Sequence, residues 1–231
     1  MRSVRLCIGT FLLIASNIAA PLTAARADLL LSQLVVELAP QDRTRTDVEI
    51  WNSGTDRAFV AVDPREIIDP GTSRESSRGD PDPEKLGLLV SPERIVLEPG
   101  QRRLLRIASL AQGDRERVFR VTVKPVVGEL SSNSSGLKVL VGYDMLVLVR
   151  PQNGKPHVSG SRSQDRLTLR NDGNVSVELV GGRACAASKG TCTDLPGGRL
   201  YAGAEKTVQV GAGERVDYKL KVGSKLLPVE F

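Results

Sequence analysis

Few side chains in this sequence have the types and spacing that enzymatic chemistry requires. The single histidine, His157, follows Pro156 in a stretch typical of a linker, where a surface role is expected. Residues 128–136, with the sequence GELSSNSSG, offer several serines, but they lack the strand, turn and helix that surround the serine of a nucleophile elbow. The sequence therefore predicts no enzymatic activity.

Metal and phosphate sites have similarly weak support. Asp80, Asp82 and Glu84 alternate in a polar segment and could suggest calcium, but the ligand spacing of an EF-hand is absent. The glycines of residues 211–213 fall between candidate strands, which indicates a turn rather than a phosphate-binding loop. We therefore predict no metal ion and no cofactor.

Cys185 and Cys192 are close enough in sequence to suggest a covalent link. In an exported chain, two neighbouring cysteines predict a disulfide that closes a short loop. A metal site would need more ligands, and His157 lies far away in the sequence. The third cysteine, Cys7, belongs to the N-terminal segment.

Residues 1–27 have the order of charged, apolar and small residues that is typical of a secretory signal peptide. Arg2 and Arg5 precede an apolar run over residues 7–20, and residues 25–27 resemble a cleavage site. The run is shorter than the roughly 20 residues of a membrane-spanning helix. We therefore expect cleavage after residue 27 and an exported chain that is not embedded in a membrane.

Removal of this segment also removes most of the excess positive charge. The whole chain has 32 basic and 27 acidic residues, a formal net charge of +5. Residues 1–27 hold three arginines and no acid, so the remainder carries a net charge of about +2. No basic stripe with interleaved aromatic residues is present in the sequence, so we predict no nucleic-acid partner.

Residues 137–151, LKVLVGYDMLVLVRP, form an unusually long strand candidate. Every odd-numbered residue from Leu137 to Val149 is apolar, and this alternation predicts a strand roughly twice as long as a typical one. Arg150-Pro151 should end the strand, because proline donates no hydrogen bond to a sheet.

Most of the remaining sequence also has the pattern of strands and turns. In the first half we predict strands over residues 30–38, 46–51, 58–62, 88–97, 102–108 and 117–127, with a loop over residues 63–85. Shorter strands follow Pro151. The predicted fold is all-β, with two immunoglobulin-like β-sandwich domains in tandem over residues 28–149 and 150–231.

The order of several short motifs resembles that of the periplasmic pilus-assembly chaperones of the bacterial chaperone–usher pathway. In the second half, the resemblance is to a divergent branch that also carries the cysteine pair. The matching pieces are Leu97-Glu98-Pro99-Gly100 with Arg106, Asp114-Arg115-Glu116 before an alternating strand, the long strand ending in Arg150-Pro151, residues 171–174, and residues 198–201 with Gly203.

The resemblance implies a role for the long strand. In this family, the chaperone lends that strand to a pilus subunit whose immunoglobulin-like fold lacks its last strand. The donor positions fall on Leu137, Val139 and Val141, whereas Tyr143 belongs either to the donor segment or to the core. The residues nearer to Pro151 are expected in the core.

The resemblance also implies contacts between the domains. Glu116 and Arg150 match a pair of residues that helps to fix the angle between the two domains. The family usually binds the C-terminal carboxylate of the subunit with an arginine and a lysine. Those positions fall near Val35 and on Leu146, so neither expected cation is present and no replacement is predicted.

We therefore expect a periplasmic, non-catalytic chaperone that binds pilus or fimbrial subunits by donor-strand complementation and passes them to an outer-membrane usher. The alternative is an exported structural or adhesive immunoglobulin-like protein, similar to a pilin subunit. A pilin should lack its own last strand and carry a free alternating N-terminal arm. This sequence has a strong last strand and little before its first one, which favours the chaperone.

Overall fold

The computed structural model describes residues 28–126, 140–186 and 190–231. The predicted signal peptide and two predicted donor positions, Leu137 and Val139, lie outside these residues. Within them the chain consists almost entirely of β-strands, and its helix has four residues. The all-β prediction is confirmed.

The first half forms two sheets. One has the strand order β1-β3-β8-β6, and the other has the order β2-β10-β9-β4-β5, with β7 also paired to β4. Strands β2 and β10 are parallel, and the other pairs are antiparallel. The elements are β1 (Leu29–Leu31), β2 (Val35–Leu38), β3 (Arg45–Asn52), β4 (Ala58–Ile68), β5 (Ser76–Arg78), α1 (Pro83–Leu86), β6 (Leu88–Ser91), β7 (Arg94–Leu97), β8 (Arg102–Ser109), β9 (Arg117–Val126) and β10 (Tyr143–Val149).

The two sheets of the first half share one hydrophobic core. Ile50 and Leu105 of one sheet, and Phe119 and Met145 of the other, have no exposed surface. Full burial of such a side chain contributes about 1.5–3 kcal/mol. Alternate residues of the central strands therefore hold the sheets together as a sandwich.

The first predicted strand is two strands in the structure, and they belong to different sheets. Instead of one strand over residues 30–38, β1 pairs with β3 and β2 pairs with β10. Ser32 separates them: its N–H donates to the carbonyl of Glu49, and its Oγ accepts from the N–H of Glu49, both at 3.0 Å. The chain therefore crosses between the sheets after Ser32 and brings β2 beside β10.

Residues 63–85 contain more regular structure than the predicted loop. Strand β4 continues through Pro64 to Ile68. Pro64 lies between the part of β4 that pairs with β7 and the part that pairs with β5, so neither of these edge strands needs a hydrogen bond from it. The loop prediction was wrong for these residues, because it rested on their content of Pro, Asp, Ser, Arg and Gly and not on the strands that pair with them.

The acidic residues that could suggest calcium have capping contacts instead. Asp80 Oδ1 accepts from the N–H of Asp82 at 2.9 Å, and Asp82 Oδ1 accepts from the N–H of Glu84 at 3.0 Å, at the start of α1. Gly87 ends the helix at φ 80°, a conformation that favours glycine. No group of three His, Cys, Asp or Glu side chains suited to a metal ion occurs in the part of the chain that the structure describes.

The second half forms a smaller pair of sheets. One has the order β11-β12-β16, and the other has the order β14-β13-β17-β18, with β15 also paired to β13. Their shared core includes Tyr218 and Leu169, which are fully or almost fully buried. The strands are β11 (Val158–Ser163), β12 (Arg166–Asn171), β13 (Val177–Cys185), β14 (Cys192–Leu195), β15 (Gly198–Leu200), β16 (Glu205–Gln209), β17 (Arg215–Val222) and β18 (Lys225–Glu230).

Each half contains a buried asparagine that closes a turn in the same way. Asn52 and Asn171 each have no exposed surface. The side-chain amide of Asn52 donates to the carbonyl of Leu97, and that of Asn171 donates to the carbonyl of Leu200. Each Oδ1 accepts from the N–H two residues later. The short Asn-x-Gly motif therefore fixes equivalent turns in both halves, because a buried amide needs all its hydrogen bonds.

Candidate functional site

From Met145 to Val149, strand β10 is apolar on both faces because each face packs against a different part of the molecule. Met145 and Val147 lie in the core of the first sandwich and have no exposed surface. The outer face contributes to a second cluster, which also receives a side chain from the second half of the chain. This outer cluster consists of Val118, Leu146 and Leu148, with Ile67 and Tyr201 packed against it.

The segment before β10 is less enclosed. Pairing between β10 and β9 begins at Tyr143, opposite Val123, and Val141 is 46% exposed. Tyr143 packs against the core, and its hydroxyl donates to the carbonyl of Leu29 at 2.6 Å. Of the predicted donor positions, Val141 is therefore free at the surface, whereas Tyr143 is engaged by its own domain.

The positions that the resemblance assigned to the two missing cations are neighbours in the structure. Val35 of β2 is directly opposite Leu146 of β10 in the parallel pair. Val35 is 47% exposed, and Leu34 beside it is 48% exposed, whereas Leu146 is only 7% exposed. An exposed and a buried apolar side chain therefore occupy the two positions where the resemblance would put charges.

A cleft of about 570 Å³ opens beside β2, between the two halves. Arg199 Nη1 donates to Ser176 Oγ at 3.3 Å, and no carboxylate lies within 4.0 Å of Arg199 among the residues that the structure describes. Lys221, by contrast, contacts Glu178 at 3.3 Å. The charged residues that line the cleft are Glu37, Asp42, Arg43, Glu178, Arg199 and Lys221.

Sequence reasoning did not single out Arg199 as a binding residue. Residues 198–201, GRLY, were one of the motifs that carried the family resemblance, but the resemblance assigned no role to Arg199. Register in β15 places Arg199 opposite Glu178 of β13, and this pairing brings the guanidinium group to the cleft. The position of Arg199 in the cleft therefore depends on the pairing of β15 with β13 in the folded second half.

Glu116 and Arg150 are in direct contact at the junction of the two halves. Arg150 Nη1 donates to Glu116 Oε2 and to the carbonyl of Ser176, the latter at 2.9 Å. Glu116 Oε1 accepts from the N–H of Ser176 at 3.2 Å. The side chains of Glu116 and Arg150 are 2% and 9% exposed. The pair therefore joins the first half to the backbone of the second.

Burial sets the ionisation of this pair. Loss of solvation raises the pKa of Glu116 above its ordinary value, although the charge of Arg150 and the hydrogen bonds to Ser176 act in the opposite direction. Arg150 Nη2 lies 3.2 Å from Glu37 Oε2 in an ionic contact that lacks the alignment of a hydrogen bond. A buried pair of this kind is costly to break, because one charge is then left unpaired.

The structure also contains the predicted disulfide. Cys185 of β13 and Cys192 of β14 are directly opposite in an antiparallel pair, with an S–S distance of 2.09 Å. The bond closes the short loop between these two strands, away from the cleft residues. It therefore links two strands of the second half and no residue of the cleft.

A comparison with known families decides the family of this chain. The family described as pili and flagellar-assembly chaperone, PapD N-terminal domain, matches residues 31–155, more than half of the sequence. The chain belongs to this family. The match includes β2, β10 and both members of the Glu116–Arg150 pair.

Individual proteins resemble this chain over different lengths. A protein from Escherichia coli that is named as a subunit of CS1 fimbriae is 30% identical over 140 residues, which are 57% of this chain and 58% of that protein. The chain is thus matched over less than two thirds of this curated relative. Similarity in fold to solved structures covers a larger share of the chain than this sequence match does.

Two solved structures share the fold over nearly their whole length. The class 5 fimbriae chaperone CfaA has a TM-score of 0.71 at 20% identity, covering 88% of this chain and 97% of the other. The CsuC–CsuE chaperone–tip adhesion subunit complex of Acinetobacter baumannii gives 0.60 at 13% identity, covering 88% and 98%. The two-domain β-sandwich fold of the family is therefore confirmed for this chain.

Membrane insertion through a helix has no support in the described ranges. The single helix there, α1, has four residues, and no helix in those ranges has the length and apolar composition to cross a bilayer.

Proposed function

We propose that this protein is an exported, periplasmic chaperone that binds pilus or fimbrial subunits by lending them residues 137–143 as a strand. The observation that carries the proposal is the apolar sequence N-terminal to β10, which continues beyond the point where pairing with β9 begins. Val141 in this segment is 46% exposed. An apolar strand edge is normally concealed, so its exposure indicates a partner.

The arrangement suits the addition of a strand from a partner. A strand that pairs with an extended segment gains main-chain hydrogen bonds, and alternate side chains provide specificity by filling pockets. Leu137, Val139 and Val141 share one parity and would enter the groove of the subunit together, whereas Tyr143 is engaged by Leu29. The neighbouring apolar residues Leu34 and Val35 would extend the contact.

Arg199 is the cleft cation that we assign to the C-terminal carboxylate of the subunit. The positions of the family's two basic residues hold Val35 and Leu146, so another cation must act. Among the cleft cations, Arg43 and Lys221 each have a carboxylate within 4.0 Å, whereas Arg199 has none among the described residues. Replacing Arg199 with Gln should weaken subunit capture and leave thermal stability nearly unchanged, as co-purification and thermal melting would measure.

The remaining parts of the proposal follow from family membership. Export would depend on residues 1–27, the two domains would meet at Arg150, and an outer-membrane usher would receive the subunit. No catalysis or ATP is required, because exchange of one donor strand for another can release the folding energy of the subunit in steps. The chaperone acts by binding alone.

A second candidate function has one specific observation in its favour. The curated relative from Escherichia coli is named as a fimbrial subunit, so this chain could be a structural component of a fibre. A structural subunit should be incorporated into fibres and remain in them. A chaperone should form a soluble complex with one subunit and be absent from the finished fibre.

The experiment is periplasmic co-expression with candidate pilus or fimbrial subunits. Val139→Asp and Val141→Asp should abolish co-purification of the subunit, because a carboxylate cannot be buried unpaired in an apolar groove without a cost of several kcal/mol, about 2–7 kcal/mol for polar groups. Val96→Asp is the matched control, since Val96 is similarly exposed, at 47%, on β7.

Each result assigns the function. Loss of the complex with both donor-segment variants, at unchanged melting temperature and with an intact complex for Val96→Asp, supports the proposal. A complex that survives both substitutions refutes the donor segment. Recovery of the protein from purified fibres, instead of from a soluble complex, supports the structural alternative.

A further inference from the structure

One aromatic side chain packs against both halves of the molecule. Tyr201, which follows β15, lies against the hydrophobic core of the second half. It also packs against the outer cluster on the first half, formed by Val118, Leu146 and Leu148. Tyr201 is the residue that belongs to both clusters among the described residues.

The surface that receives Tyr201 is built by three neighbouring strands. Ile67 of β4 is opposite Val118 of β9, and Val118 is opposite Leu148 of β10. These residues form an apolar row on the outer face of the sheet, and this row would be exposed to solvent if nothing covered it. Val118 and Leu148 are nevertheless only 4% and 0% exposed. Coverage from the second half is therefore part of the native state of this face.

The position of Tyr201 is fixed from both sides. On its own side, the carbonyl of Leu200 accepts from the Asn171 amide at 2.9 Å, and the carbonyl of Tyr201 accepts from the N–H of Ala204 at 3.0 Å. On the other side, a Cβ at Gly71 would lie 3.1 Å from the Tyr201 ring. The tight approach at Gly71, where φ is 74°, leaves the ring little freedom to shift.

We propose that Tyr201 is a positioning residue that, through Leu146 and Leu148, sets the angle between the two sandwiches and so the placement of the second sandwich beside strand β10. Its consequence for subunit binding rests on the proposed function. The Glu116–Arg150 pair holds one place at the junction, whereas Tyr201 holds the outer face of β10 itself. Asn174 adds to the attachment at Glu116, since its carbonyl accepts from the N–H of Glu116 at 2.8 Å and its amide donates to the carbonyl of Asp114 at 2.7 Å. Tyr201 is a separate attachment on the face of the sheet, and attachments at two separate places fix an angle better than one.

The aromatic ring performs this role, and the hydroxyl is not needed. Burial raises the pKa of Tyr201, so the group stays neutral at physiological pH. No hydrogen bond of its hydroxyl is present among the described residues. Tyr201→Phe should therefore retain the angle, and Tyr201→Ala should lose it. This contrast separates positioning by the ring from any effect of the phenol.

The angle can be measured in the free protein with two spin labels, one at Arg94 on β7 and one at Lys219 on β17, both exposed. Pulsed electron paramagnetic resonance should give one narrow distance distribution for the parent and for Tyr201→Phe. Tyr201→Ala should broaden it. Ile67→Ala removes another side chain that packs against the same outer cluster and should also broaden the distribution. This second variant keeps the test decisive if Tyr201→Ala does not fold.

The functional consequence is tested with the same co-expressed subunit. If the competent angle is populated about a tenth of the time, apparent affinity falls about tenfold. We expect that loss for the folded fraction of Tyr201→Ala and for Ile67→Ala, with full capture by Tyr201→Phe. An unchanged distance distribution in both alanine variants overturns the positioning role, whatever role the donor segment has. A broadened distribution with normal subunit capture overturns its functional importance.

Discussion

Glu66 provides the sharpest prediction for stability, because it is a buried carboxylate with two arginine partners. Its side chain is 8% exposed. Arg117 Nε donates to Oε1 at 2.7 Å, and Arg78 Nη2 donates to Oε2 at 2.5 Å. Arg117 also donates to the carbonyl of Leu86 at 2.7 Å. The carboxylate therefore connects β4, β5 and β9 with the end of α1.

Replacement of Glu66 with Gln removes the charge and keeps the shape. A hydrogen bond to a charged group contributes about 1.5–3 kcal/mol. The Arg78 side chain is 57% exposed, so its share is strongly screened, whereas Arg117 is 22% exposed. We expect Glu66→Gln to lower the free energy of unfolding by about 2 kcal/mol at pH 7.

The effect should depend on pH with a defined sign. Burial acts to raise the pKa of Glu66, but the hydrogen bonds and charges of Arg117 and Arg78 outweigh it, and the pKa is lowered from its ordinary value of 4.5. The contribution is therefore fully present above pH 4.5 and is lost as the pH falls through the lowered pKa of the folded state. The parent and the variant should become similar in acid.

Urea unfolding between pH 3 and pH 7 measures this difference. Trp51, the single tryptophan, lies on β3 and reports on the first half by its fluorescence. Glu98→Gln is the matched control: Glu98 contacts Arg57 at 2.8 Å, but both side chains are more than half exposed, so the loss should stay below about 1 kcal/mol. Equal stability of parent and Glu66→Gln at pH 7, or a deficit that persists unchanged at pH 3, would refute the reasoning.

Three further predictions concern the second half. Replacing Cys185 and Cys192 with Ser should destabilise it by roughly 2–3 kcal/mol in the loop-entropy model while subunit capture stays largely intact; thiol titration of the unreduced parent should find no free thiol. Asn171→Ala leaves the carbonyl of Leu200 without its buried donor and should cost about 1–3 kcal/mol, as calorimetry would measure; a melting temperature equal to that of the parent contradicts it. A Cβ at Gly182 would lie 2.2 Å from Cε1 of the buried Tyr218, so Gly182→Ala should destabilise by about 1–3 kcal/mol and change the near-ultraviolet circular dichroism. Gly113→Ala is the control and should leave both unchanged, because its Cβ would meet only the carbonyl oxygen of Arg115 at 3.7 Å, an ordinary contact.

Much of the fold could be predicted from local pattern. Alternation in residues 137–151 identified β10 and assigned its odd-numbered residues to one face, because successive side chains of a strand point to opposite sides. The motif order indicated the family, and the spacing of the cysteines indicated a disulfide that the structure contains. These signals are short-range, so sequence alone carries them.

The division of the first strand was beyond local pattern. Residues 30–38 have the composition of one strand, yet Ser32 pairs with Glu49 and the chain then changes sheets. The predicted loop over residues 63–85 was too long for a similar reason. Whether Pro64 interrupts a strand depends on which edge strands lie beside it, and those strands come from later in the chain.

The sequence by itself determined that β10 is a strand, that it ends at Arg150-Pro151 and that its odd-numbered residues are apolar. Tertiary structure alone decided what covers each side. Met145 and Val147 face the sandwich core, Leu146 and Leu148 face Tyr201, and Val141 remains exposed. Periodicity fixes the direction of a side chain relative to its own backbone. Burial depends on packing against residues that are distant in sequence, and the local pattern of a single sequence does not report which residues pack there.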